Sequence, residues 1–259
     1  MKSIVLTNQK GGVAKTTTAY ALATGLHNKG YNVLIVDADP QSNLSYTAGV
    51  DEENKSSLYK VLKGMAKTPE AIRNVKPGLD VLMIGLEGTA ADMELASRTA
   101  REYMLSEALQ EVSENYDFCV LDTAPTLGLL TLNALTAADY AIIPMNIEVF
   151  SLQGVEQLSG FIENVRKYTN NKLKVSGLLL TKYNERLNLT QALKGNVEKA
   201  AEVIGTIIYD TTIRESVAVK EAQLLRGDIY TEAPKATATL DYMDFVEEFL
   251  NREVLKNGN

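Results

Sequence analysis

Lys10-Gly11-Gly12-Val13-Ala14-Lys15-Thr16-Thr17 follows the apolar run Ser3-Ile4-Val5-Leu6-Thr7 and opens a run of helix formers from Thr18 to Asn28. A strand, a glycine-rich turn and a helix, in that order, converge backbone N–H groups on an anion. The helix N-terminus adds the positive end of its dipole. Gly11 and Gly12 let the chain bend tightly and keep side chains clear of the anion. Lys15 stands where it reaches the β- and γ-phosphates of a nucleotide, and Thr16 where its hydroxyl ligates Mg2+.

Outward from that loop, short apolar runs alternate with helical patterns. The runs are Ile4–Thr7, Val33–Val36, Leu79–Ile84, Phe118–Leu121, Ala141–Met145, Val175–Leu180 and Ile204–Tyr209. Several are apolar without alternation, as strands buried on both faces of a parallel sheet require. The helical patterns fall near Thr16–Lys29, Ala91–Glu114, Leu127–Ala137, Leu152–Tyr168, Leu189–Ala201 and Ala236–Val254. This rhythm predicts an α/β fold: a doubly wound, largely parallel sheet with helices on both faces. With 259 residues, 45% of them hydrophobic, the chain suits a single P-loop domain over 1–259.

Composition removes several classes. The one cysteine, Cys119, lies inside an apolar run, so a disulfide framework or a thiolate metal cluster within the chain is excluded. A cluster shared across a dimer of electron carriers needs two cysteines from each subunit, which rules out that class too. The first strand is not followed by the G-x-G-x-x-G of a dinucleotide-dependent dehydrogenase. Neither a signal peptide nor a bilayer-length apolar segment is visible, and the phosphate loop begins too early for a preceding DNA-reading domain. A cytoplasmic protein is expected. Its only histidine, His27, reads as a helix-packing residue of the first helix.

In doubly wound sheets ligands sit beyond the carboxyl ends of the strands. Two strand ends carry acids. Val33–Val36 runs into Asp37-Ala38-Asp39-Pro40-Gln41, where two carboxylates in alternation can serve a metal or a water and Pro40 stiffens the turn. Phe118–Leu121 runs into Asp122-Thr123-Ala124-Pro125, an acid ending an apolar strand in the manner of a Walker B residue.

The loop departs from the ordinary P-loop pattern, with Gln9 and Ala14 at the positions of its two glycines. With a second lysine at Lys10 it resembles the deviant Walker A motif, K-G-G-x-x-K-[ST]-[ST]. That loop, then V-D-A-D-P-Q-S-N, then L-D-T-A-P-T-L-G-L-L-T, resembles the ParA/Soj partition ATPases of the deviant-Walker, MinD/ParA group. Order and spacing match from Lys2 to about Pro144, with weaker matches to about Pro234. Ala14 replaces the family's usual glycine, and Asp122-Thr123-Ala124-Pro125-Thr126 its D-C-P-P-S.

The resemblance implies an ATPase using ATP and Mg2+, with the nucleotide cradled by Lys10, Gly11, Gly12, Val13, Ala14, Lys15, Thr16 and Thr17 and supported by Asp37 and Asp122. Lys10 would reach across an ATP-bound homodimer to the partner subunit's phosphates. Lys15 and Thr16 would bind ATP and Mg2+ within the subunit. Asp39 would position the attacking water in the first switch and belong to the metal site with Thr16 and Asp122, and Asp122 would close the metal shell and begin the second switch. The implied partners are nonspecific double-stranded DNA and a ParB-like centromere-binding protein that stimulates hydrolysis, which would place the protein on the nucleoid. A MinD-like positioning ATPase on membranes is the alternative. The C-terminal run Tyr242–Leu250 has helical apolar spacing, but its polar face is acidic and an anionic bilayer repels it.

The net charge of −7 is unevenly spread. Residues 161–200 hold eight bases against three acids, whereas 87–122 hold two against nine. A cationic face on an acidic chain can still bind phosphates without reading sequence. By the resemblance, Arg186 and Arg214 would contact DNA, with Lys220 and Arg226 as further candidates.

Overall fold

The computed structural model describes residues 1–51, 56–147, 152–183 and 188–255, and for 188–194 the backbone alone. Eight strands form one sheet: β1 Lys2–Leu6, β2 Val33–Asp37, β3 Arg73–Lys76, β4 Leu79–Met83, β5 Phe118–Asp122, β6 Tyr140–Met145, β7 Lys174–Tyr183 and β8 Ile213–Arg214. They lie in the order β3-β4-β2-β5-β1-β6-β7-β8. Only β3 runs antiparallel to its neighbour; the other pairings are parallel.

Successive side chains of each strand enter opposite faces of the sheet. Val5, Leu34, Val36 and Leu121 join one apolar cluster, while Ile4, Leu6, Val33, Ile35 and Val120 join the other. Both faces are covered, which is why these strands read as unbroken apolar runs. The helix α1, Lys15–Asn28, is buried along almost its whole length between the sheet and the helix Thr237–Phe249. Gly25 permits that approach: a Cβ there would stand 2.7 Å from both the Tyr230 hydroxyl and Val246. Tyr242, Phe245, Val246 and Phe249 face inward, so the C-terminal helix spends its apolar side on the core. No helix among the described residues is long and apolar enough to cross a membrane.

Two sequence expectations need correction, and one strand is not among the expected runs at all. Ile204–Tyr209 makes only a single bridge, Leu178 to Ile208; the eighth strand is Ile213–Arg214 instead. The strand β3, Arg73-Asn74-Val75-Lys76, has no apolar run because it is an edge, paired on one side only. Ala91–Glu114 is not one helix but Ala91–Glu94, Met104–Gln110 and a 3-10 turn at Ser113–Asn115. Between the first two pieces Arg98 donates to the carbonyls of Leu62 and Lys63, at 3.0 and 2.8 Å, and Ala100 takes a left-handed φ of 53°. Those tertiary bonds override local helix preference.

Candidate functional site

The strands β1, β2 and β5 end level with one another: Leu6 is opposite Asp122, and Asp122 is opposite Asp37. This is where the direction of winding changes about β1, the place where doubly wound sheets bind ligands. A cleft of about 770 Å3 opens there, lined by Gly11, Gly12, Ala14, Lys15, Thr16 and Thr17 from the loop. Asp39 and the short helix Asn43–Thr47 supply one wall, and Arg214, Lys220 and Gln223 the other.

Gly12 has a φ of 74° and Ala14 one of 60°. Both lie in the left-handed region, where glycine is at ease and alanine is not, so Ala14 carries local strain at the mouth of α1. No side chain caps α1 and no acid sits in its first turn. Its leading amides, which have no partner within the helix, are therefore available to an anion. Behind the loop, Thr181 of β7 donates to the Val13 carbonyl at 3.0 Å, and Thr123 donates to the Leu6 carbonyl at 2.9 Å. Asn8 donates to Pro144 and accepts the Lys10 amide, at 2.8 and 3.0 Å.

Lys15 is buried, and its Nζ donates to the Lys10 carbonyl at 3.3 Å. Burial lowers its pKa, and the charges of Asp122 and Asp39 oppose that shift. Lys10 is exposed and does not line the cleft. It borders a separate shallow cavity with Gln9, Pro125 and Gln153, Gly154 and Gln157 of the helix Leu152–Tyr168.

Asp37 is fully buried and accepts both the amide and the hydroxyl of Ser45, at 2.8 and 2.7 Å. Burial pushes it up to about 6 despite those bonds. Asp122 is fully buried and, among the described residues, neither of its oxygens has a hydrogen-bond partner. Burial, reinforced by Asp37, pushes it up to about 8, with the nearby Thr16 hydroxyl and Lys15 pulling the other way. An orphaned buried carboxylate beside a threonine hydroxyl is a donor set suited to a divalent cation that keeps most of its waters, as Mg2+ does. Asp39 lies at the cleft surface, where its Oδ1 accepts the Gln41 amide at 3.0 Å and its own amide approaches Asp37 at 3.4 Å.

These shifts have a sign. A buried acid with a raised pKa costs nothing while protonated in both states, and its cost grows as pH rises from the unfolded value to the folded one. In metal- and nucleotide-free protein, Asp122→Asn is therefore expected to gain stability over wild type as pH climbs from about 4 to about 8, by up to ~1.4 kcal/mol per unit, and to level off above. Denaturant titrations of both proteins across that range check it; a difference that stays flat with pH contradicts it.

The remaining cations are used unequally. Arg214 ends β8, and its amide and Nε donate to Asp241 Oδ2 at 2.9 and 3.0 Å. Arg226 pairs with Asp51 and lies over the Tyr46 ring. Lys220 has no ion-pair partner among the described residues. Arg186 lies outside the described residues. Sequence reading missed Ser45, Gln223 and Thr181. Of these only Ser45 had a local signal, standing eight residues after the acid that it holds.

A family model described as AAA domain matches residues 1–175. The chain is 35% identical to the chromosome partitioning protein ParA of Caulobacter vibrioides over 257 residues, covering 98% of this chain and 95% of that one. The chain belongs to the ParA/Soj family. It is likewise 35% identical to the sporulation initiation inhibitor protein Soj of Bacillus subtilis over 259 residues, 99% of both chains. Among solved structures, this ParA/Soj chain superposes on a Mycobacterium smegmatis cobyrinic acid a,c-diamide synthase with bound ATP analog and magnesium. The TM-score is 0.83 at 30% identity, over 95% of this chain and 93% of that one.

Proposed function

We propose that this protein is a ParA-type partition ATPase, a single domain that dimerises on ATP, binds DNA without sequence preference and lets go on hydrolysis. One observation carries the ATPase part: Lys15, Thr16 and Asp39, which follow the ends of β1 and β2, line a single cleft, and Asp122 at the end of β5 is buried beside Thr16 and Lys15. ATP with Mg2+ is the ligand pair that this donor set fits, and the M. smegmatis neighbour holds an ATP analog and magnesium. The loop amides and Lys15 grip the β- and γ-phosphates, Thr16 and Asp122 hold the metal with Asp37 behind them, and Asp39 orients the water that attacks in line. Bound there, Mg2+ neutralises charge that develops on the phosphate oxygens. Lys10, turned away from its own cleft, serves the phosphates of the partner subunit.

DNA contacts fall to Lys220, Arg186 and Arg214; of the two described residues, Lys220 has no ion-pair partner among the described residues and Arg214 is paired with Asp241. Pairing with Asp241 leaves Arg214 less to offer than Lys220, and reversing its charge would set a second carboxylate against the buried Asp241. An ATP-bound dimer doubles the cationic patch, which makes binding depend on ATP. Release follows when a ParB-like protein stimulates hydrolysis, and the expected location is the nucleoid. The MinD-like alternative, a membrane ATPase, is disfavoured because the C-terminal helix keeps its apolar face in the core.

The test is a gel shift on random-sequence duplex with ATP, ADP or no nucleotide. Binding is expected with ATP only and to weaken steeply with salt. Lys220→Glu is expected to reduce DNA affinity by about tenfold or more at fixed salt, measured at saturating ATP because Lys220 also lines the nucleotide cleft. Equal binding in all three nucleotide states sinks the switch, and unchanged affinity in the variant removes Lys220 from the surface.

A further inference from the structure

Tyr46, which lines the cleft, is held from outside by a residue from late in the chain. Arg226 follows the helix Val217–Leu224 and takes a left-handed φ of 54°. Its Nε donates to the Tyr46 carbonyl at 3.0 Å, and its Nη1 and Nη2 donate to the two oxygens of Asp51 at 3.2 and 2.7 Å. The guanidinium also covers the Tyr46 ring, 4.7 Å from its centre. Tyr46 belongs to the short helix Asn43–Thr47 just after the Asp39 turn, and its neighbour Ser45 holds Asp37. Three residues before Arg226, Gln223 donates to the Thr17 hydroxyl at 3.0 Å in the first turn of α1. One turn of chain thus touches both the phosphate-loop helix and the segment that carries Asp39.

We infer that Arg226 is a positioning residue for ATP hydrolysis: it pins Asn43–Thr47 to the far wall and so sets where Asp39 stands in the cleft. The inference rests on the ATPase reading above. A plain stabilising role fits the geometry less well. The pair is open to solvent, with Arg226 30% and Asp51 61% exposed, and such ion pairs add little to folding. A DNA role fits less well too, because the nitrogens are turned to Tyr46 and Asp51 and the charge is matched. The site uses what only arginine has: a planar fork for one carboxylate and a flat face for one ring. It also holds the chain in a backbone region that a non-glycine residue keeps only under constraint.

The experiment compares Arg226→Ala, Arg226→Lys and Asp51→Asn in the full chain. It measures ATP dissociation constant, kcat, KM, melting temperature and DNA affinity with ATP. Arg226→Ala is expected to lower kcat about tenfold while KM and ATP affinity move less than about twofold, because Asp39 is misplaced and the phosphate grip is not. Lysine should not restore turnover. Asp51→Asn should give a smaller loss of the same kind, and the double variant should be no worse than Arg226→Ala. Unchanged kcat, full rescue by lysine, or a loss of DNA affinity at normal turnover would each overturn the inference. Should Arg226→Ala fail to fold, the exposed Asp51→Asn decides, and wild-type kcat in it would be fatal. A wild-type chain that hydrolyses no ATP would instead bring down the ATPase reading itself, and this inference with it.

Discussion

Lys15→Ala is expected to raise the ATP dissociation constant by roughly a hundredfold to a few thousandfold, the equivalent of about 3–5 kcal/mol for breaking a buried charged contact. The size of the effect follows from where the ammonium sits. It is buried beneath the loop, with the Asp39 and Asp122 carboxylates close enough to shift it. In the free protein its Nζ bonds a backbone carbonyl, Lys10 O at 3.3 Å, a contact readily traded for a phosphate oxygen. Alanine removes that cation and leaves the two acids facing the triphosphate. Repulsion then adds to the lost attraction. Removing Lys15 also takes away a charge that restrains Asp122, so the burial penalty on that carboxylate rises and metal binding suffers with it. Calorimetric titration with ATP and Mg2+ measures this directly; retained micromolar affinity would contradict the assignment of the loop.

Asp39→Ala should separate binding from chemistry. The residue stands at the cleft surface rather than beneath it, and the bond its carboxylate accepts from the Gln41 amide shapes its own turn. Removing its carboxylate takes a negative charge away from the phosphates, so ATP affinity is expected to hold or improve. Turnover is expected to fall by about 10²–10⁴, the range for losing a group that orients a nucleophile or takes its proton. The sole histidine cannot replace it, because His27 lies near the far end of α1. Phosphate release under single-turnover conditions, read beside equilibrium ATP binding, distinguishes the two effects. Wild-type turnover in this variant would take Asp39 out of the mechanism, whereas loss of ATP binding would mean that it holds the loop together.

The two predictions bracket the way the site is built. Lys15 and Asp122 are buried, pay for it in shifted proton affinity, and on the proposed reading act by charge on the nucleotide and its metal. Asp39 and Lys10 are at the surface and on the same reading act by where they can reach. A residue of the first kind is held by the sheet, since Asp122 is the last residue of β5. One of the second kind depends on neighbours in the short elements around the cleft, which is where Ser45, Gln223 and Arg226 enter.

Much of this was legible in the chain itself. The loop Lys10–Thr17, the parallel sheet and the acids Asp37, Asp39 and Asp122 are encoded locally, in glycine placement, unbroken apolar runs and carboxylates one step past a strand end. Such features need only a few neighbouring residues to be recognised. Tertiary structure decided the rest. Gln223 finds Thr17 across 206 positions and Arg226 finds Asp51 across 175, and no periodicity links such distant residues. Ala91–Glu114 breaks because Arg98 bonds carbonyls of another segment, and β3 is a strand only because β4 offers it an open edge. Even the availability of a cation is a tertiary fact. Arg214 and Lys220 look alike as sequence, yet Asp241 neutralises one and no described acid pairs with the other, because charge acts through space and its screening depends on what the fold brings near.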